Sequence, residues 1–172
     1  HTNQIWYTST DGEVVTPYTY FLAEEQFGAT IVSNVYKNGR GIITFDGDVT
    51  MVGWLAFYGC EDIINITLPN NLTEIGDAAF STCHKLTDIT IPYGIIKIGD
   101  KAFYNCVSLE SIIIPNSVTE IGDEAFYACT SLTSIAIPDS VTKMGESAFV
   151  DCRNITNLTI GSGITEINMG TF

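Results

Sequence analysis

From residue 40 to residue 172, apolar and small residues recur at the same positions every 23 residues. A fixed period of about 20 to 50 residues is typical of proteins built from stacked, equivalent units. Several columns keep this register together, so the period is a property of the whole segment. The most regular columns are Gly53, Gly76, Gly99, Gly122 and Gly145; Phe57, Phe80, Phe103, Phe126, Phe149 and Phe172; and Cys60, Cys83, Cys106, Cys129 and Cys152.

One unit, residues 109–131, reads LESIIIPNSVTEIGDEAFYACTS. It opens with alternating apolar positions that end at Pro115, which predicts a short strand with one buried face. The run VTEIG predicts a second short extended segment, whose glycine supplies either a special φ or a close backbone approach. The following DEAFYAC predicts one turn of helix, with Asp123 as its N-cap.

A single unit of this kind cannot bury its own apolar side, so we expect the units to stack as coils around a continuous core. At roughly 4.8 Å per stacked strand, six coils make a body on the order of 30 Å long. The sequence therefore predicts an α/β-type solenoid of short parallel strands and helical turns over residues 40–172. Its coils begin at Arg40, Ile63, Leu86, Leu109, Leu132 and Ile155.

Residues 1–39 lack the 23-residue columns and are predicted to form a small β-rich cap over the open end of the solenoid. Two hairpins are expected here, one turning at Asp11-Gly12 and one at Asn38-Gly39. The run YFLAEEQFG between them predicts a short helix that ends at Gly28. A small separate binding module is the alternative to a cap.

Charge excludes some classes of partner. Seven Lys and Arg face 20 Asp and Glu, which gives a formal net charge of −13. Nucleic acids and anionic membranes select basic surfaces, so neither is expected as a partner. The sequence has no apolar stretch long enough for a transmembrane helix. Its first residues do not form a basic and apolar leader, so we expect that any signal peptide has been removed.

The sequence offers little that resembles catalysis, and we expect neither enzymatic activity nor a cofactor. Its two histidines are His1 and His84, and no nucleophile partner or metal-ligand spacing accompanies them. The cysteine column is predicted to hold buried, reduced thiols, because parallel side chains one coil apart do not converge to disulfide distance. A redox stack or a line of soft-metal ligands is the alternative for that column.

Two columns of charged residues have structural interpretations. Asp77, Asp100, Asp123 and Glu146 follow the glycine column and are predicted N-caps, with a row of calcium ligands as the alternative. A second column alternates in sign, so stacked neighbours pair opposite charges and favour one register. Its members are Glu74, Lys97, Glu120, Lys143 and Glu166.

The outward positions of the main strands form the candidate ligand-binding face. In a curved repeat protein the sheet face is the usual binding surface, although threonine also simply favours exposed strands. We expect this face to bind an extended peptide or a glycan by hydrogen bonds. Its residues are Asn65, Thr67, Thr87, Asp88, Thr90, Glu110, Ser111, Thr133, Ser134, Thr156, Asn157 and Thr159. Tyr58, Tyr104 and Tyr127 are expected to form a secondary contact row.

The repeat resembles the 23-residue Treponema-type, or BspA-like, leucine-rich repeat, LxxLxLPxxLxxIGxxAFxxC. The matching segments include LTDITIPYGIIKIGDKAFYNC and LTSIAIPDSVTKMGESAFVDC, and the resemblance covers residues 40–172. It implies a secreted or cell-surface bacterial protein that acts in adhesion by binding a protein ligand, such as host extracellular matrix or another cell surface. A glycan-binding or glycan-processing surface component, or a passive spacer of a larger surface protein, is the alternative function.

The last coil stops at Phe172, before the position where its cysteine would fall. Its apolar residues then have no coil stacked beyond them, and exposed apolar rows and strand edges favour association. We expect either a fragment of a longer repeat protein or a homodimer through the C-terminal coils.

Overall fold

A computed structural model describes residues 1–18, 22–168 and 170–172. The N-terminal part contains strand β1 (Gln4–Ser9), helix α1 (Ala23–Phe27), strand β2 (Ile31–Lys37) and strand β3 (Arg40–Phe45). β2 and β3 pair antiparallel around Asn38 and Gly39, which have positive φ of 54° and 76°. That conformation is typical of a two-residue hairpin turn, and the second predicted hairpin is confirmed.

Helix α1 ends at Gly28, in the left-handed conformation with φ of 78°, as the sequence predicts. Residues 20 and 21, which begin the predicted helical run, lie outside the described residues. The side chain of Phe27 at the end of α1 is fully buried, so the helix contributes directly to the core.

The first predicted hairpin is wrong. β1 pairs antiparallel with β3 on one side and with a repeat strand, β5 (Ile63–Thr67), on the other. The chain after Asp11-Gly12 turns back only locally, where Ser9 Oγ donates to the carbonyl of Glu13 at 2.8 Å. β1 therefore pairs with a strand on each side, whereas the predicted hairpin would have paired it with one short strand.

The repeats form two rows of short parallel strands, as their two extended runs predict. The first row contains β5, β7 (Asp88–Thr90), β10 (Ser134–Ile137) and β12 (Asn157–Ile160). The second row contains β4 (Met51–Val52), β6 (Glu74–Ile75), β8 (Lys97–Ile98), β9 (Glu120–Ile121) and β11 (Lys143–Met144). Paired residues within the repeats are 23 positions apart, for example Ile66 with Ile89.

The solenoid has about five turns, where the sequence predicts about six coils. The strand predicted to open the first coil, β3, is antiparallel to β1 and does not stack on β5, because β1 lies between them. Residues 109–114 also depart from the pattern. They keep the alternation of buried and exposed side chains but form no regular strand pairing, so the first row divides into β5–β7 and β10–β12.

The predicted helical turns are wrong, and the corresponding segments are paired turns joined to the next coil. Phe80 N–H donates to the carbonyl of Ala102 at 2.8 Å, whereas the N–H of Ala79 closes a local turn onto Gly76 at 3.3 Å. Positive φ of 52° at Ala78 and 61° at Thr82 allows this alternation. Every second N–H of the turn therefore bonds to a carbonyl of the neighbouring coil. In a helix, the same N–H groups would bond to carbonyls of their own segment.

The core is a stack of like residues. The phenylalanine rings from Phe57 to Phe149 lie parallel, with centroids 5.1 to 5.4 Å apart. Phe27 of helix α1 meets the first of these rings edge-on at 5.7 Å. The N-terminal segment therefore covers the aromatic stack at that end and, through β1, pairs with the first main strand of the repeats.

Candidate binding face

We define the outer strand face as the twelve outward residues predicted above. Eleven of them are exposed, and Thr87 is half-buried. Strand pairing aligns them in rows across the coils: Asn65 lies beside Asp88, and Ser134 lies beside Asn157. The structure therefore exposes all of the predicted residues but Thr87, and strand pairing aligns those that lie on β5, β7, β10 and β12.

The threonine hydroxyls of this face are partly engaged by the fold. Thr87 Oγ1 donates to the carbonyl of Ile64 at 3.2 Å, and Thr156 Oγ1 donates to that of Thr133 at 3.3 Å. Each bond runs to the preceding coil, so the hydroxyl contributes to register as well as to the surface. The hydroxyl oxygens still have acceptor capacity for a ligand.

The outer strand face is divided at Glu110 and Ser111. These residues lie in the segment without regular strand pairing, and Ile113 beside them is 82% exposed. The face therefore consists of a polar patch on β5 and β7 and a second patch on β10 and β12. The apolar side chain of Ile113 lies between the two patches.

Sequence reasoning missed an aromatic residue that extends the face. Trp6 on β1 lies directly beside Thr67 on β5, and Thr8 lies beside Asn65. These neighbours line an open cleft of about 420 Å³ together with Gln4 and Arg40. The alternation of Gln4, Trp6 and Thr8 with buried Ile5 and Tyr7 signals a strand, but it does not identify β5 as the partner.

The aspartate column joins neighbouring coils and does not cap helices, so the predicted N-cap role is wrong. Asp77 Oδ1 accepts the backbone N–H of Asp100 at 2.9 Å, and Asp100 Oδ1 accepts that of Asp123 at 2.8 Å. Glu146 N–H donates to Asp123 Oδ1 in the same way. Within the described residues, no group of three or more His, Cys, Asp or Glu side chains has the geometry of a metal site.

The cysteine side chains are buried in the first four coils and half-buried at Cys152. The thiols of Cys83, Cys106 and Cys129 each donate to the carbonyl of the phenylalanine 26 residues earlier, at 3.1 to 3.2 Å. Burial raises the pKa of Cys106 to about 12. Thiols in this environment are inert, because the thiolate is the reactive form.

The alternating charge column stacks as predicted from Glu74 to Lys143, whereas Glu166 lies in no paired strand. Lys97 lies between Glu74 and Glu120 in the strand register, and Lys143 lies beside Glu120. Lys143 Nζ is 3.8 Å from Glu120 Oε2. Exposed pairs of this kind contribute about 0.2 to 1 kcal/mol each, which suits a role in register.

His84 is held between neighbouring coils. Its Nδ1 lies 3.5 Å from Glu61 Oε1, and its Nε2 lies 3.0 Å from the side-chain amide of Asn105. Both ring nitrogens thus have partners in the preceding and following coils, and these contacts account for the residue structurally.

The tyrosine row is discontinuous. Tyr104 and Tyr127 stack at 5.0 Å, whereas Tyr58 packs edge-on against Tyr18 at 5.9 Å. Ser81 occupies the intervening position of the column. Only two of the three predicted tyrosines therefore form a common surface.

A family model of the BspA-type leucine-rich repeat region matches residues 50–172 in six copies. The chain belongs to the BspA-type leucine-rich repeat family. The resemblance carried by the 23-residue motif is therefore confirmed. No curated protein matches the sequence significantly.

Solved structures of other leucine-rich repeat proteins are similar to this BspA-type repeat chain. A leucine-rich repeat protein of Treponema pallidum is 34% identical, with a TM-score of 0.63 over 67% of this chain and 65% of its own length. One from Bacteroides ovatus is 31% identical, with a TM-score of 0.65 over 91% of this chain and 39% of its own. A leucine-rich cell surface protein of Faecalibacterium prausnitzii is 35% identical, with a TM-score of 0.65 over 72% and 34%.

The BspA-type chain thus spans about two thirds of the first of these proteins and little more than a third of the other two. Among the described residues, no helix is both long enough and apolar enough to cross a membrane.

Proposed function

We propose that this BspA-type chain belongs to a secreted or cell-surface protein that binds a protein ligand through the outer strand face. The observation that carries the proposal is the exposure of eleven of the twelve residues, of which those on β5, β7, β10 and β12 are aligned by strand pairing. Most of them are Thr, Ser or Asn, whose hydroxyls and amides both donate and accept hydrogen bonds.

The charge of the face limits the class of ligand. Asp88 and Glu110 are its only ionisable members, and both are acidic. A ligand with a polar, neutral or mildly basic surface fits such a face better than an acidic one. Exposed Ile113 offers an apolar contact at the centre of the face, where binding energy concentrates in protein interfaces.

A surface location is supported by the similarity to the cell surface protein of F. prausnitzii. A non-catalytic role is supported by the engagement of the candidate chemical groups in coil-to-coil contacts. His84 is bonded between coils, and the aspartates accept backbone N–H groups. We extend the proposal to an adhesive role, with extracellular-matrix proteins or another cell surface as partners.

A homodimer through the C-terminal coils is a further part of the proposal, and exposed apolar residues there support it. Leu158 and Ile167 are both more than two-fifths exposed in the last coil. Light scattering across a dilution series tests this contact, and Ile160→Lys is expected to dissociate it. A monomer at every concentration would contradict the dimer.

The test of the proposed function is an array of purified extracellular-matrix proteins and oligosaccharides, probed with the labelled chain. We expect saturable binding to at least one protein. A variant in which Ser or Gly replaces Thr90, Thr133 and Thr156 of the outer strand face serves as the comparison. Absence of saturable binding to every protein on the array would favour the passive spacer and contradict the proposal.

A further inference from the structure

The cleft at the N-terminal end of the outer strand face has an uncommon combination of side chains. Arg40 lies over the Trp6 ring, and His1 stacks on the same indole with ring centroids 6.4 Å apart. The amides of Gln4, Asn65 and Asn70 line the cleft, together with Tyr7, Thr8, Thr67, Leu68 and Pro69. The volume of about 420 Å³ is within the range of small-ligand sites. An aromatic surface flanked by several amides presents an apolar ring and multiple hydrogen-bonding groups to the same ligand.

Arg40 is positioned to receive a carboxylate. Its guanidinium carbon lies 4.9 Å from the centroid of the Trp6 ring, and the side chain is exposed. Within the described residues Arg40 has no ion-pair partner, as is also true of Lys37 and Lys97, whereas the other four Lys and Arg side chains have one. A guanidinium that is stacked on an aromatic ring is held in place with its donors free for a bidentate pair.

The amide groups of the cleft are only loosely engaged. Gln4 Nε2 is 3.5 Å from Thr44 Oγ1, and Asn65 Nδ2 is 3.4 Å from Thr8 Oγ1. Hydrogen bonds of this length are weak, so a ligand hydroxyl can replace them at little cost. Gln4 Oε1 also accepts the indole N–H of Trp6 at 3.2 Å, which orients the ring.

We propose that this cleft binds a saccharide unit that bears one carboxylate. The carboxylate pairs with Arg40, the C–H face of the sugar packs beside the Trp6 indole, and its hydroxyls bond the amides of Gln4, Asn65 and Asn70. The site shares Asn65 and Thr67 with the outer strand face. It does not rest on the proposed protein-binding function, because Arg40 and Trp6, which contact the carboxylate and the sugar ring, lie on β3 and β1, outside the repeats at residues 50–172. A chain that binds no protein still has it.

Two features favour a saccharide over an acidic peptide. Both edges of β1 are already paired, with β3 and with β5, so an extended peptide has no free strand edge to join here. The exposed lining is mainly polar, and it offers no succession of apolar pockets for alternate side chains. The net charge of −13 also disfavours a polyanion, so a single carboxylate on an otherwise neutral sugar fits best.

The test compares cellobiouronic acid with cellobiose, which differ only in having a carboxylate or a hydroxymethyl group at one carbon. Binding to the ¹⁵N-labelled chain is followed by NMR at the Trp6 indole N–H and at the side-chain amides of Gln4 and Asn65. We expect cellobiouronic acid to shift these signals with millimolar affinity, about tenfold tighter than cellobiose.

Arg40→Gln is expected to reduce the affinity for cellobiouronic acid to that for cellobiose. Lys37→Gln is the matched control, because Lys37 lies opposite Arg40 across the hairpin turn, is exposed and does not line the cleft. It removes the same charge and is expected to leave binding unchanged. Both positions are exposed, so both variants are expected to fold.

Four results would overturn the proposal: no shift at up to about 20 mM cellobiouronic acid, an equal response to the two sugars, unchanged binding in Arg40→Gln, or the same loss in Lys37→Gln. Tighter binding of N-acetyl-aspartyl-glycinamide than of cellobiouronic acid would also overturn it in favour of a peptide site. None of these measurements uses a protein ligand, so failure here is distinct from failure of the proposed function.

Discussion

The Sγ atom of Cys106 donates a hydrogen bond to the backbone carbonyl of Phe80, in the preceding coil, at 3.1 Å. The same carbonyl also accepts the N–H of Cys83 at 3.2 Å. Each buried thiol thus ties its coil to the one before it. The relationship explains why the position is filled by a small side chain that also has a donor.

Alkaline pH is expected to destabilise the fold through these thiols. Burial raises the pKa of Cys106 from 9.0 to about 12, so the folded state keeps a proton that the unfolded chain loses. The stabilisation is complete below pH 9 and is lost as the pH rises toward 12. Between these values each such thiol contributes a slope of about −1.4 kcal/mol per pH unit to the free energy of unfolding.

Urea unfolding at several pH values between 9 and 10.5 measures that slope. Cys106→Ala is expected to make it shallower by about one proton, and to lower stability at pH 7 by about 1 to 2 kcal/mol through the lost contact and hydrogen bond. Cys83→Ala serves as the comparison, because burial also raises the pKa of Cys83 and its thiol makes the equivalent bond at 3.1 Å. An unchanged slope in both variants would contradict the assignment.

Cys152 is expected to be the most reactive of the five thiols. It is half-buried, its thiol donates to the carbonyl of Phe126 at 3.0 Å, and the neighbouring Cys129 side chain lowers its pKa. A thiol reagent added to the native protein at pH 8 should modify Cys152 first. After denaturation, all five thiols should react. Peptide mapping that finds Cys106 modified at a comparable rate would contradict this prediction.

Asp100 is expected to stabilise the fold as a hydrogen-bond acceptor. Its Oδ1 accepts the N–H of Asp123 in the next coil at 2.8 Å. Asp100→Ala should lower the free energy of unfolding by about 1 kcal/mol, whereas Asp100→Asn keeps an acceptor and should cost less than half of that. Equal losses in the two variants, measured by urea unfolding, would show that the negative charge matters more than the acceptor.

Gly122 is expected to tolerate no side chain, because the preceding coil approaches it closely. A Cβ there would lie 2.5 Å from the backbone nitrogen of Asp100. Gly122→Ala should therefore destabilise the fold by about 2 to 4 kcal/mol, since backbone cannot move aside as a side-chain end can. Gly39→Ala is the control: its positive φ of 76° adds strain, but the surrounding space is open.

The smaller loss expected in that control is about 1 to 2 kcal/mol. Thermal unfolding followed by circular dichroism measures both variants. If Gly122→Ala melted at or above the temperature of Gly39→Ala, the close approach of the coils would not be the reason for the glycine column.

The repeat architecture is predictable from sequence because each column makes the same contact in every coil. The 23-residue spacing of Phe80 and Phe103 predicts the stack of phenylalanine rings directly. The alternation around Ile112 and Ile114 identifies which side chains of that segment are buried. The turn at Asn38-Gly39 is equally explicit, since few other residue pairs favour two consecutive positive φ values.

The helical turn was predicted wrongly because DEAFxxC has the spacing of a helix. Its N–H groups find partners in the next coil, and a single unit contains no information about that neighbour. Asp100 was placed as an N-cap for the same reason, although its acceptor faces a backbone N–H 23 residues later.

The position of β1 was missed for a different reason. Its partners, β3 and β5, lie in two separate parts of the chain, and the local signal at Asp11-Gly12 favoured a hairpin instead. This error also concealed the cleft, because Trp6 joins the outer strand face only through its pairing with β5. The candidate face within the repeats could be predicted, and its aromatic extension could not.

The central claim, that the outer strand face is the binding surface, is tested most directly by two matched triple variants. The first variant replaces three threonines of the outer strand face by lysine, at Thr90, Thr133 and Thr156. The second variant makes the same change in the exposed threonine row beside the second strands, at Thr73, Thr119 and Thr142. The threonines of that second row bond to carbonyls of the preceding coil at 3.3 to 3.4 Å, as Thr156 of the first set does at 3.3 Å. All six positions are exposed. Both variants also change the net charge equally.

The measurement is the dissociation constant for the protein ligand selected on the array, determined by biolayer interferometry for the unaltered chain and both variants. The account predicts a loss of about tenfold or more for the variant at Thr90, Thr133 and Thr156. It predicts unchanged affinity for the variant at Thr73, Thr119 and Thr142, with similar melting temperatures for both. Unchanged affinity in the first variant, or an equal loss in the second, would contradict it.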